Sequence, residues 1–279
     1  MGSVNMDIGF DVDALPRPGE TALATSVRST PGGKGANQAD AAARAGADVR
    51  FVGAVGDDAA AAQLRDHLDA NGVGTDGLIT VPGRSGSAAV IVDSDGENII
   101  VVAPEANGRL TFEPGLRGLV ADSDVVLLQL EIPIATATAA AREAHSAGVT
   151  VILNASPSGG DEAELSQLAE LTDVLVVNET EAAHWVWPVA HRVVTLGARG
   201  AGYTGDGTEF TTPAPAVDPV DTSGAGDVFA GVLAANWAVD RDYALRRACA
   251  AGALATLVPG AGDCAPSADA IDAATLAGR

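Results

Sequence analysis

Residues 125–177 read VVLLQLEIPIATATAAAREAHSAGVTVILNASPSGGDEAELSQLAELTDVLVV. Apolar runs at 125–130, 149–153 and 174–177 have the length of strands, and 135–147 and 162–171 between them have helical composition. Strand and helix alternating in this way fold as parallel strands joined by crossover helices. Outward from this stretch the pattern continues, with another apolar run at 193–196 and helix candidates at 226–237 and 244–257. Upstream, 36–47 (ANQADAAARAGA) is Ala-rich and runs out at a glycine, 51–55 is a short apolar strand, and 59–71 is a helix closed by Gly72. The expectation is an α/β fold: a doubly wound, mainly parallel sheet with helices on both faces.

Two stretches break the alternation. Residues 10–30 and 85–103 are rich in β-branched residues and carry turn pairs such as Asp95-Gly96. They are expected to pair as a small antiparallel layer outside the main sheet, a lid over a site at its edge. No repeat or linker divides the chain, so residues 1–279 are read as one domain.

Composition narrows the function. A net charge of −21 disfavours nucleic acid as partner, because a phosphate backbone is repelled at long range. No apolar run of about 18 residues indicates a membrane span, and the first residues do not read as a secretory leader. Cys249 and Cys264 are too few for a disulfide framework and lack metal-ligand spacing, which fits a reducing cytoplasm. Among the basic residues the lone lysine, Lys34, lies within Gly32-Gly33-Lys34-Gly35. The histidines, at 67, 145, 184 and 191, have no metal-ligand spacing.

The strongest chemical signal is Asp221-Thr222-Ser223-Gly224-Ala225-Gly226-Asp227, leading into Val228-Phe229-Ala230-Gly231. Small residues at a helix start let backbone N–H groups converge on an anion, and the helix dipole assists them. Gly224, Ala225 and Gly226 are therefore candidates for an anion hole at a phosphate in transfer. Asp227, in the first turn, is placed to take the proton of an attacking hydroxyl, although an N-cap in a tight turn is the plainer reading of a lone motif.

Pro31-Gly32-Gly33-Lys34-Gly35-Ala36-Asn37-Gln38 is not a Walker A loop, since Arg28 and Gly35 occupy its diagnostic positions. Its glycines admit a polar ligand close to the backbone, and Asn37 offers hydroxyls both a donor and an acceptor. Asn5-Met6-Asp7, expected at the end of the first strand, suits a polyol, though a solvated turn fits as well. In Asn178-Glu179-Thr180-Glu181 the outer residues share one face, which fits waters ordered around a divalent ion and equally fits a helix cap. Thr195-Leu196-Gly197-Ala198-Arg199-Gly200 follows a strand and could line a nucleotide pocket or form a simple glycine turn. No Gly-x-Gly-x-x-Gly follows the first strand, which argues against a dinucleotide enzyme.

Together, GGKGANQ with the following AAARAGA-x-V-x-FVGAVGDD, and DTSGAGDVFAG, resemble the ribokinase family, the phosphofructokinase B family of carbohydrate and nucleoside kinases, over nearly the whole chain. GSVNMD, LLQLEIP, NETEA and VVTLGARG are similar to its ribokinase subgroup. The resemblance implies ATP-dependent phosphorylation of a small sugar, ribose at its primary hydroxyl in the first instance, with another sugar, a nucleoside, or an impaired sugar-binding homologue as alternatives. It implies that Asn5, Asp7, Gly33, Lys34, Asn37 and Glu131 contact the sugar, with Asp227 as base. Asn178, Thr195, Gly197, Gly200 and Cys249 would surround the nucleotide, with Glu181 near magnesium-bound phosphates. Potassium would be held by Asp221, Ser223, Ala255, Val258 and Gly260, with Ser267 as a further ligand. The lid would also form a homodimer contact.

Three departures from the family pattern carry expectations of their own. Met1-Gly2 stands where the family has several apolar residues before Gly-Ser-x-Asn, implying a shortened central strand. Only AAHWVWPVAHR separates Glu181 from Val193, where the family has an additional helix. In Pro104-Glu105-Ala106-Asn107 a glutamate stands where ribokinases commonly have glycine, near the lid's return.

Overall fold

The computed structural model describes residues 1–94 and 96–277. The chain opens with β1 (Asn5–Asp11) and β2 (Ser26–Gly32), followed by α1 (Lys34–Arg44), β3 (Val49–Val55), α2 (Ala59–Ala70) and β4 (Val73–Thr80). Strands β5 (Gly86–Val92) and β6 (Asn98–Ala103) come next, then the short α3 (Arg117–Ala121). The expected alternation occupies the middle: β7 (Val125–Gln129), α4 (Ile134–Ala147), β8 (Thr150–Asn154), α5 (Glu162–Ala169), β9 (Val174–Asn178), α6 (Glu179–His184) and β10 (His191–Thr195). A hairpin, β11 (Ala201–Gly205) and β12 (Thr208–Thr212), precedes α7 (Ala225–Asn236), α8 (Arg241–Ala255) and α9 (Ala268–Ala277).

The main sheet runs β12-β11-β10-β9-β8-β7, with β7 to β10 parallel and the last hairpin antiparallel. Val151, Ile152, Leu153, Val174 and Leu175 are all fully buried, as parallel strands covered on both faces must be. The low aromatic content has a packing consequence: α1 and α7 meet through small residues such as Ala41, Val228 and Val232, so their backbones approach closely. The β11–β12 hairpin was not anticipated, although its turn, Asp206-Gly207, is a usual hairpin pair with positive φ at both positions (52° and 71°). Strand β4, with two glycines and an aspartate, shows no clear period and was also missed.

The lid exists, but its layout differs from the expectation. Its order is β2-β1-β5-β6, and β1 and β5 are parallel, so the layer is mixed. The reason is the route: α1, β3, α2 and β4 intervene between β2 and β5, and the chain re-enters the lid running in the direction of β1. Of the expected Asp95-Gly96 turn, Asp95 lies outside the described residues, while Gly96 has φ 82°.

Asn5 opens the lid strand rather than closing a strand of the main sheet. The four residues before it lie between β3 and β7: the Met1 amine donates to the Leu127 carbonyl at 2.8 Å, and the Gly2 N–H donates to the Val52 carbonyl at 3.0 Å. These single bonds join β3 to β7, and burial pushes the Met1 amine down to about 5. Between His184 and His191 the chain crosses without a helix, as the short segment implied. No helix among the described residues is long and apolar enough to cross a membrane.

Candidate active site

Asp227 sits in the first turn of α7, behind Gly224, which takes the left-handed conformation (φ 75°) as N-cap. A side chain at 224 would press on the backbone of Ala261, so glycine is needed there for both φ and space. The turn aims the positive end of the α7 dipole at the cleft beside Asp227. The carboxylate itself is buried (8% exposed). The Gln38 side-chain amide donates to its Oδ1 at 2.9 Å, the Asn37 amide donates to its Oδ2 at 3.4 Å, and the Lys34 ammonium lies 3.8 Å from Oδ1.

The polyol candidates converge on the same cleft from α1, β1 and the end of β7. Ser3 Oγ donates to Glu131 Oε2 at 2.6 Å, and the Lys34 N–H donates to the same oxygen at 3.2 Å. Glu131 thus caps the first turn of α1, beside Gly33, the N-cap residue. Asn5 accepts from the Asn107 amide at 2.7 Å, while Asn107 also brackets Val4 through its N–H and carbonyl. Burial, then the negative charges of Glu131 and Asp227, push Asp7 up to about 7. The Lys34 ammonium is held above its usual value by Asp227 against the opposing effect of burial, with help from Glu131 and Glu181. In the geometry, Lys34 joins Asp227 through its ammonium (3.8 Å) and Glu131 through its N–H (3.2 Å), while the Asp7 carboxylate packs against Gly32 just ahead of them. Asp7 Oδ1 and Asn37 Oδ1 are buried with no hydrogen-bond partner, two acceptors suited to hydroxyl donors.

A cavity of about 490 Å³ adjoins the start of α7. Thr195, Gly197, Gly200 and Cys249 line it, together with Ala225 and Gly226. Cys249 is inert there: burial pushes its thiol up to about 12. Asn178 is not among the lining residues. Its side chain accepts from the Glu181 N–H at 2.8 Å, and Glu181 Oε2 accepts from the Asn178 N–H at 2.9 Å, a complete capping box. Of the readings open for this pair, the helix cap is therefore formed, while Glu181 still acts on Lys34 electrostatically.

Among the described residues no group of His, Cys, Asp and Glu forms a metal cage. A divalent ion held mainly by phosphates and water, with Glu181 nearby, is compatible with that arrangement. For a monovalent cation the fit is more definite. Asp221 accepts from the Ser223 N–H and from the Gly260 N–H, both at 2.8 Å, tying the loop before α7 to the loop after α8. Burial would raise the Asp221 carboxyl, but these N–H bonds outweigh it and hold it below its ordinary value. An ionised carboxylate between two carbonyl-bearing loops suits such an ion. Ala255 and Val258 belong to the same turn, joined by a 3.2 Å backbone bond. Ser267 is the weakest member, since its hydroxyl accepts the Ala270 N–H at the start of α9.

Several residues around this cleft were not singled out from the sequence. Gln38 follows Asn37 in a quoted motif, but nothing marked it as touching Asp227. Gln129 and Asn154 are polar residues that close β7 and β8 directly after apolar stretches, a signal that points to the carboxyl end of the sheet. Asn107 lay in the segment flagged for Glu105, which adopts the left-handed conformation (φ 46°) that glycine would take without strain.

Residues 1–268 match the pfkB family carbohydrate kinase family. A ribokinase of Bacillus subtilis is 38% identical over 276 residues, spanning 94% of this chain and 93% of its own length. An ATP-dependent ribose-1-phosphate kinase of Halopiger xanaduensis is 34% identical, covering 98% and 95%. The structure of Arabidopsis thaliana ribokinase complexed with ribose and ATP superposes with a TM-score of 0.89 at 30% identity, covering 98% and 96%. With its fold and almost its whole length shared in this way, the chain belongs to the pfkB family of carbohydrate kinases.

Proposed function

We propose that the protein transfers the γ-phosphate of ATP to the primary hydroxyl of ribose, with Asp227 as the general base. One observation carries this reading: Asp227, in the first turn of α7, takes the amide of Asn37, whose own oxygen, like Asp7 Oδ1, is a buried acceptor without a partner. A sugar hydrogen-bonded to Asp7 and Asn37 presents a hydroxyl to the carboxylate. The amides of Gly224, Ala225 and Gly226 offset the charge that spreads over the phosphoryl oxygens during transfer. The relatives named ribokinase, one of them bound to ribose and ATP, support ribose and ATP as the substrates.

Among the described residues Lys34 is the one cation paired with the base, at 3.8 Å, and its neighbours Asp7, Glu131 and Asp227 are acidic. That balance disfavours an acceptor already carrying phosphate, despite the Halopiger relative. Magnesium near Glu181 would neutralise the triphosphate, and potassium held at Asp221, Ser223 and Gly260 would steady the loop that forms the anion hole. The free, buried cysteines suit the cytoplasm as the place of action. The exposed apolar residues of the lid, Val27 (65%), Ile100 (53%) and Val101 (62%), suit the contact of a homodimer.

The experiment is turnover of Asp227→Ala with ribose, ribose 1-phosphate and nucleosides under coupled ADP detection. A loss of about 10²- to 10⁴-fold in kcat with ribose binding retained is expected. Near-normal kcat in the variant overturns the role of Asp227, and wild-type turnover with another acceptor alone overturns ribose.

A further inference from the structure

We infer that Gln38 is the positioning residue of the base, the middle link of a one-way amide relay running from Gln129 through Gln38 to Asp227. This inference rests on the kinase reading of Asp227. Gln129 Nε2 donates to Gln38 Oε1 at 2.5 Å, and Gln38 Nε2 donates both to Asp227 Oδ1 and to Asn154 Oδ1, each at 2.9 Å. The Asn154 amide in turn donates to the Val176 carbonyl at 3.1 Å.

The direction of the relay is forced. Both protons of the Gln38 amide have acceptors, so its oxygen must face Gln129; rotating the amide would set that oxygen against the Asp227 carboxylate. Each donor polarises the next in a low-dielectric interior. Gln38 and Gln129 are each 1% exposed, and both protons of the Gln38 amide are already spent on Asp227 and Asn154. The four side chains come from α1, β7, β8 and α7, and a side chain at Gly231 would collide with the Gln38 carbonyl, so the α1–α7 contact leaves the relay little room to shift.

A competitor gives the relay its purpose. Lys34 Nζ faces the same Oδ1 atom at 3.8 Å. With Gln38 holding Oδ1 at hydrogen-bond distance, the ammonium stands off and Oδ2 stays turned to the cleft beside Asn37. Remove the Gln38 donor and the carboxylate closes onto Lys34, which ties up the base and withdraws the cation from the cleft together.

The test compares Gln38→Leu, close in size but without the amide, with wild type, Asp227→Asn and the double variant. Expected are a loss of about 10- to 100-fold in kcat for Gln38→Leu, a ribose KM changed by less than about threefold, and unchanged ribose binding by calorimetry. In the double variant the two losses do not multiply, because Gln38 acts only through Asp227. Should Gln38→Leu fail to fold, Gln129→Leu takes its place, with a several-fold drop in kcat and the same unchanged KM. Wild-type-like kcat, a loss confined to KM, or losses that multiply in the double variant overturn the relay. Absence of sugar-dependent ADP release from the wild type would sink the kinase reading instead, so the two failures are told apart.

Discussion

The Asn37 side chain gives its amide to Asp227 Oδ2 at 3.4 Å and keeps its carbonyl oxygen buried without a partner. One residue therefore touches the base with one end and offers the incoming sugar an acceptor with the other. Replacing it with leucine removes both functions without removing bulk. Asn37→Leu is expected to raise the ribose KM about 10- to 100-fold, the equivalent of roughly 1–3 kcal/mol of buried hydrogen bonding, with a smaller fall in kcat. Initial-rate kinetics checks the split.

Asp7 links sugar binding to pH. Its carboxyl titrates at about 7 in the fold against 3.8 ordinarily, so between those values the unfolded chain has lost the proton and the folded chain keeps it. Stability from this group is therefore complete below about pH 4 and is lost as pH rises toward 7. Asp7→Asn is expected to stabilise the ligand-free protein relative to wild type at pH 8, by at most roughly 4 kcal/mol, and to leave it level at pH 4. Denaturant melts at the two pH values read the difference, while the same variant binds ribose more weakly.

Gly200 borders the proposed nucleotide cavity with φ 96°, and a side chain there would overlap the Thr212 carbonyl. Gly200→Ala is expected to cost about 2 kcal/mol or more of stability and to raise the KM for ATP while leaving the ribose KM near its original value. Melting and kinetics at varied ATP report the two effects separately.

The two-loop tie at Asp221 predicts monovalent-cation activation. Replacing potassium with choline is expected to lower kcat several-fold in the wild type. Asp221→Ala, which releases the Ser223 and Gly260 N–H groups, is expected to be slow and nearly insensitive to the exchange. An equal response of both proteins to potassium would remove the site.

Much of the fold was readable because its signals are local. Runs such as 149–153 and 174–177 are almost wholly apolar, with Thr150 the exception, helices such as α5 begin at an aspartate that caps them, and the alternation leaves a parallel sheet as the economical arrangement. The lid was legible as strand but not in its pairing, because which edge β5 joins depends on where four intervening elements carry the chain. The Asn178–Glu181 spacing admitted a cap or an ion, and the cap formed because both backbone N–H groups it serves lie within the same turn.

The order of residues was enough to place an anion-binding helix start at 224–227 and a glycine-rich polar loop at 31–38, since each is a contiguous stretch whose conformation its own residues dictate. What it could not specify is the meeting of Asp227 with Gln38, Gln129 and Asn154, which are separated along the chain by up to 189 residues and joined by bonds of 2.5 to 2.9 Å. Burial is what distinguishes them: a glutamine looks the same in any helix until the packing of α1 against α7 removes water and leaves a carboxylate as the partner for its amide.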